Sequence, residues 1–350
     1  MIRRQRRPTA LVAVALAVAL ALSACGARGA GAGGGGDGEN FTIKFSHVVT
    51  PSTPKGQAAQ RFAEIVEERS GGRITVEVYP NSELYGDKDE LQALQSNSVQ
   101  MLAPASAKFT TIAPALQVLD LPFLFGGVED IPKVVSPDSA AGKAIFQNEQ
   151  LASNNIKVVG LWDNGLKQLS SNSPMRTPAD LAGLSFRIQP SDVLRSQFES
   201  WGASSTPLAF AEVYNALQQG VVDGQENPYS NIESQNMHTV QRHITESNHG
   251  YIGYVLVIND EFFTSLPTDL QQVVQEAADE SSTYNREVAA RLNEEARATI
   301  EQAGTTEILE LTEAERAAFR DTVVPAVWEQ YGEVIGQDLL DALLAERGAR

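Results

Sequence analysis

The sequence predicts a two-lobe α/β protein with mixed, mostly parallel sheets, and three observations carry that expectation. Phe41, Ile43 and Phe45 alternate with Thr42 and Lys44, an apolar helical face follows at Ala59, Phe62, Ile65 and Val66, and Ile74, Val76 and Val78 alternate again. Strand, helix and strand at this spacing form a βαβ unit, whose two strands run parallel. A second α/β unit begins at Leu184: Leu184, Phe186 and Ile188 share one strand face, and a helix runs from Ser191 to Trp201. Length is the third observation, because about 310 of the 350 residues follow a Gly-rich tether, enough for two domains of ordinary size.

Residues 1–24 read as an export signal and not as part of the fold. Arg3, Arg4, Arg6 and Arg7 precede an apolar run from Ala10 to Leu22, the charged and apolar regions of a secretory signal. That run is shorter than the ~20 apolar residues of a transmembrane helix. Leu22-Ser23-Ala24-Cys25 resembles a bacterial lipobox, which makes Cys25 the lipidated first residue of the mature chain; a buried free thiol is the alternative. A single cysteine excludes an internal disulfide. Residues 25–40, rich in Gly and Ala, read as a flexible tether. Without the four leader arginines the chain holds 23 Lys+Arg against 44 Asp+Glu, a net charge of −21. Such a surface repels phosphate backbones and argues against nucleic-acid binding. An acid-binding site on this chain needs its own local cations.

The first lobe is expected over residues 41–163 with about 252–285. His47 to Pro54 is the loop at the end of the first strand, and Ser70-Gly71-Gly72 stops the first helix. A helix near Asp87 to Asn97, a strand over Val99 to Ala103 and a polar loop ending in Lys108 follow. Leu121 to Gly126 is apolar but broken by Pro122, and reads as an extended core segment, with a partner-facing patch as the alternative. A helix around Ala140 to Leu151 and a strand over Ile156 to Trp162 complete this run, and Asp163-Asn164-Gly165 reads as a turn and a hinge.

The second lobe is expected over residues 164–251 with about 286–350. Thr177 caps a short helix that has Pro178 at its first position and Gly183 as its stop. Pro207 opens and Gly220 closes a helix whose Phe210, Val213, Tyr214 and Leu217 form one apolar face. Val221 and Val222 then read as a short buried strand, Asp223-Gly224 as a tight turn, and Gln225 to Pro228 as a polar strand end facing a cleft. Tyr251 to Asn259 is a long apolar strand returning to the first lobe. Beyond Pro267 the chain is helical for about 35 residues, long enough to span both lobes or to bend midway. A strand over Thr306 to Leu311 and two helices reaching Leu344 close the chain.

No GxSxG, HExxH, CxxC or Walker loop is present, so no positive signal supports catalysis, a cofactor or a metal. His238 and His243, five apart, do not share a helical face and read as surface residues. One residue does point to binding. Arg187 lies in an otherwise apolar strand, on the face opposite Phe186 and Ile188, where a guanidinium needs a planar anionic partner. A substrate carboxylate, an acidic neighbour or solvent at a sheet edge would each serve.

Several separate stretches carry a family resemblance. EVYNALQQGVVDGQENP, preceded by DLAGLSFRIQ (Asp180 to Gln189) and WGASSTPLAF (Trp201 to Phe210), resembles the extracytoplasmic solute-binding proteins of TRAP (tripartite ATP-independent periplasmic) transporters. FSHVVTPSTP, GGRITVEVYPNSEL and DLPFLF upstream and SNHGYIGYVLVIN downstream extend it over roughly Phe41 to Glu301. The resemblance implies a periplasmic-binding-protein-like fold of class II type, with a long helix spanning both lobes. It implies a non-enzymatic protein without a cofactor that captures an organic acid (a dicarboxylate, sugar acid or keto acid) between its lobes and delivers it to membrane subunits of the transporter. By the same resemblance Arg187 is the principal carboxylate clamp and Asn227 contacts the ligand carboxylate, an Asx turn being the alternative for Asn227. Phe210 packs on the ligand or is plain core. Lys167 stands where many members have a second arginine, keeping the charge but losing the bidentate fork. Lys108 matches a basic residue of the first lobe and His249 a histidine near the cleft in some members, solvent-facing roles being the alternative for both, and His47 in the end loop of the first strand is a further candidate. A binding protein of an ATP-driven importer, a ligand sensor and a secreted hydrolase are the competing readings.

Overall fold

A computed structural model describes residues 39–348 of the chain; the export signal, Cys25 and all but the last two tether residues lie outside the described residues. Among the described residues nine strands form one sheet: β1 (Phe41–Ser46), β2 (Ile74–Tyr79), β3 (Met101–Leu102), β4 (Ile156–Ser171), β5 (Ser185–Ile188), β6 (Ser204–Pro207), β7 (Gly224–Asn227), β8 (His243–Asn259) and β9 (Glu307–Glu310). Their order is β2-β1-β3-β8-β4-β7-β5-β6, with β9 paired to β8. The βαβ expectation holds at both ends, where β1 pairs in parallel with β2 and β3, and β5 with β6 and β7. The centre is antiparallel, through β3–β8, β8–β4 and β4–β7.

Local chemistry accounts for the early elements. Thr53 caps the helix Pro54–Arg69, its hydroxyl accepting from Gly56 N at 3.2 Å, and Pro54 occupies the first helical position where its missing N–H costs nothing. Further on, Asp180 Oδ2 accepts from Thr177 N at 2.8 Å and from the Thr177 hydroxyl at 3.0 Å, securing the start of the short helix Pro178–Leu181. The apolar stretch Leu121 to Phe125 is buried in the largest hydrophobic core, as expected of a core segment.

Two corrections concern turns. Asp163-Asn164-Gly165 is not a turn: it lies inside β4, a strand of 16 residues paired with β8 from Ile156↔Asn259 to Ser171↔His243. The turn-forming residues are absorbed by a β-bulge between Asp163 and Gly165, where Gly165 takes φ 131°. Asn285 Oδ1 accepts from Asp163 N and Asn293 Nδ2 donates to Asn164 O, so the long helix secures the irregular backbone. Likewise Asp223-Gly224 does not form a hairpin: Gly224 opens β7, and the polar run Gly224–Asn227 is itself a fully buried strand between β4 and β5. Val221, expected in a buried strand, is 61% exposed. Pro207 ends β6 instead of opening a helix, which starts as a short 3-10 turn at Phe210 and continues as Val213–Gln218. Gly220 does stop that helix, with φ 68°. His238, read as a surface residue, is buried.

The helix Thr268–Ala303 is continuous over 36 residues and ends at Gly304 in the left-handed region. Leu270, Val274, Ala277 and Ala278 from its first half pack into the core of β1, β2 and the helix Pro54–Arg69. Ala296 and Ile300 from its second half pack with Phe210, Val213, Leu217 and Ile232. One amphipathic helix therefore serves two separate cores. No described helix is long and apolar enough to cross a membrane.

Candidate functional site

The core faces of β5 aim its one cation. Phe186 and Ile188 are buried in the main core, so the alternation of the strand sends Arg187 to the other face, where it is also buried. Its Nε and Nη2 both donate to the carbonyl of Leu208, at 3.0 and 2.8 Å. Among the described residues no carboxylate forms an ion pair with it. Burial lowers the Arg187 pKa to about 10, with the charges of Glu226 and Glu212 opposing, so it stays protonated at neutral pH.

Arg187 lines a tight cavity of about 20 Å³ together with Val48, Val49, Lys55, Asp87, Glu90, Lys108, Phe210, Asn227, Asn231 and Tyr254. Four residues singled out in the sequence thus converge: Arg187, Asn227, Phe210 and Lys108. Asn227 is held from two sides, donating through Nδ2 to Gln225 Oε1 at 2.6 Å and accepting from Asn231 Nδ2 at 2.9 Å. Lys108 pairs with Asp87 and lies 3.1 Å from Glu90 Oε1. Its pKa is pushed well down by burial and by the charges of Lys55 and Arg187. Asp87 in turn accepts from Phe210 N at 2.5 Å, and the neighbouring Lys88 reaches Glu212 at 3.0 Å, so residues 87–88 grip the segment 210–212.

Sequence reasoning missed Lys55, Asp87, Glu90, Asn231 and Tyr254. Lys55 is fully buried; its ammonium donates to Ala103 O at 3.0 Å and sits 3.9 Å from the Tyr254 ring centroid. Its signal was its place directly after the helix-opening Pro54, at the end of a strand loop. Asn231 lies in the short helix Tyr229–Ser234 that follows Asn227, and it donates back to Asn227 Oδ1. Counting side chains, the cavity carries three basic residues, Lys55, Lys108 and Arg187, against two acidic ones, Asp87 and Glu90. This is the local positive charge that an acid site on so acidic a chain requires.

Lys167 and His249 are elsewhere. Lys167 Nζ bonds to Glu226 Oε1 at 2.7 Å, Glu226 Oε2 to His249 Nε2 at 2.8 Å, and His249 Nδ1 to Ser247 Oγ at 2.7 Å, with Lys167, Glu226 and His249 all buried. A carboxylate can only accept, so His249 carries its proton on Nε2, and burial keeps the ring neutral by lowering its pKa. Burial alone would raise the Glu226 pKa, but Lys167 and His249 hold it at about 2. His47 lines a different cavity of about 310 Å³, with Gln60, Arg61 and Tyr284.

A buried, cation-bearing cavity between the two ends of an α/β sheet is the arrangement of a solute-binding protein. The model of the DctP family, bacterial extracellular solute-binding protein, family 7, matches residues 45–333, and the chain belongs to this family. It is 45% identical over 308 residues to the C4-dicarboxylate-binding periplasmic protein DctP of Rhodobacter capsulatus, covering 88% of this chain and 91% of that one. It is similar to a TRAP periplasmic solute binding protein from Shewanella oneidensis with bound succinate, at 42% identity and TM-score 0.84, covering 87% of this chain and 99% of that one. A TRAP periplasmic solute binding protein from Pseudomonas aeruginosa with bound L-malate matches at 40% identity and TM-score 0.80, covering 83% and 100%.

Proposed function

We propose that this protein binds a small dicarboxylate in the cavity at Arg187 and hands it, unaltered, to the membrane subunits of a TRAP transporter. The carrying observation is the buried Arg187, whose fork meets only a backbone carbonyl and no carboxylate among the described residues. A ligand carboxylate completes it with parallel charge-assisted hydrogen bonds. Lys108 and Lys55 supply charge for the second carboxylate. Support also comes from the succinate and L-malate held by the two solved relatives. Sugar acids are the second reading, since relatives at 28% identity hold galactonate and glucuronate.

A cavity of about 20 Å³ has room for little more than one water, so the acid enters only when the site opens. We propose that residues 41–163 with about 252–285 move against 164–251 with about 286–350, hinged on β4 near Asp163 and β8 near Tyr251, the strands that cross the sheet. Lipidation at Cys25 would keep the protein at the membrane. A thermal-shift screen of diacids, sugar acids and keto acids tests the reading. A diacid at 100 times its Kd adds ~2.7 kcal/mol of stability, and a screen in which only sugar acids stabilise the protein overturns the dicarboxylate assignment.

A further inference from the structure

The cavity ends in an unsatisfied acceptor whose direction is set far from it. Gln241 Nε2 donates to two backbone carbonyls, Asp223 O at 3.4 Å and Val240 O at 3.2 Å. Carbonyl oxygens cannot donate, so this fixes which end of the Gln241 amide is oxygen. Gln241 Oε1 then accepts from Ser170 Oγ at 3.1 Å, and Ser170 Oγ accepts from Gln225 Nε2 at 2.8 Å. Gln225 Oε1 accepts from Asn227 Nδ2, and Asn227 Oδ1 from Asn231 Nδ2. Every member of this chain is buried. From Ser170 to Asn231 each member donates to the preceding one, so the polarity runs one way and leaves Asn231 Oδ1 as the terminal acceptor. That oxygen is buried without a hydrogen-bond partner, on a side chain that lines the cavity of Arg187.

A carboxylate cannot satisfy it, because a carboxylate only accepts. We propose that the acid carried by this protein is a hydroxy-diacid, whose hydroxyl donates to Asn231 Oδ1 while a carboxylate engages Arg187. This rests on the dicarboxylate reading above and narrows it. The Lys55 ammonium donates to Ala103 O and lies over the Tyr254 ring, and it makes no hydrogen bond to Asn231 Oδ1. A buried acceptor left bare by an analogue lacking the hydroxyl is costly, and a site built to hydrogen-bond a ligand hydroxyl discriminates strongly against such an analogue.

The test compares malate with succinate, which has the same carbon chain and both carboxylates but no hydroxyl, by calorimetry on the wild-type protein. The expected result is at least one malate enantiomer binding about ten- to a hundredfold tighter than succinate. Asn231→Leu, checked for an unchanged circular dichroism spectrum, is expected to bring that ratio near one. Gln241→Leu, which removes the anchor of the amide orientation at a distance from the ligand, is expected to reduce it. Equal or tighter binding of succinate by the wild type overturns the hydroxyl assignment while leaving the dicarboxylate reading intact. A preference for aspartate over malate overturns it in favour of an ammonium donor. Binding of neither diacid overturns both.

Discussion

Lys167 and His249 grip the same buried carboxylate, Glu226, from opposite oxygens at 2.7 and 2.8 Å. Lys167, which the family resemblance sets at the place of a second arginine, is here buried and paired with Glu226. β7 carries Glu226 towards this network, while its neighbour Asn227 reaches the cavity, so alternate residues of one short strand serve the two roles.

Lys167→Met should therefore act on stability. Removing one partner of a buried pair leaves an uncompensated charge and costs about 3–5 kcal/mol. Thermal or urea unfolding would register the loss. An unchanged melting temperature together with a large drop in ligand affinity would return Lys167 to direct ligand contact.

Arg187→Ala should weaken ligand binding by several tens-fold or more, because truncating one partner of a buried charge pair costs about 2–5 kcal/mol. Arg187→Lys should recover only part of the affinity, since an ammonium keeps the charge without the planar fork. Calorimetry on folded variants measures both. Wild-type affinity in Arg187→Ala would remove the clamp.

The acid sensitivity of the fold should depend on His47. Burial, with the Lys55 charge adding to it, lowers its pKa to about 3. The unfolded chain, with a His pKa of ~6.5, binds the proton first, so this residue costs stability as pH falls from ~6.5 towards 3. Between about pH 7.5 and 4.5, two units below the unfolded value, the wild type should lose about 2.5 kcal/mol more than His47→Gln. Urea titrations at both pH values give the difference. Parallel losses in the two proteins would mean that His47 titrates normally.

Gly224→Ala should destabilise through space and not through backbone angle. A Cβ at Gly224 would lie 2.4 Å from both Phe186 Cε1 and Ser170 O, whereas at Gly220 it meets nothing within 4 Å. Overpacking of this kind costs about 1–3 kcal/mol or more. Gly220→Ala, at φ 68° but with open space around the added Cβ, should cost about 1–2 kcal/mol. Urea midpoints rank the two, and the reverse order would restore the reading of Gly224 as a turn residue.

Elements whose identity rests on local pattern were legible. The alternation at Phe41 to Phe45, the cap at Thr177 and the long amphipathic helix all follow from side-chain period and from hydrogen-bonding groups within a few residues. Arg187 was legible for a related reason: a lone guanidinium on a strand whose other face is apolar has few places to go. The turn-like residues at 163–165 and 223–224 misled because Gly, Asn and Asp are equally suited to bulges and to close backbone approach, and only the neighbouring strands select between those uses. Asn231, Asp87 and Glu90 carried no pattern, since their partners lie on segments remote in sequence.

The sequence by itself determined the two α/β units, the family and the face of β5 on which Arg187 lies. Tertiary structure decided which cations face the cavity and which are neutralised behind it. Lys167 and Lys108 look alike in sequence, both being lysines near a strand end. One pairs with Glu226 away from the cavity, and the other, paired with Asp87 and Glu90, lines the cavity beside Arg187. Charge and period are local properties of the chain, whereas the pairing of a buried charge depends on which distant residue the fold brings within 3 Å of it.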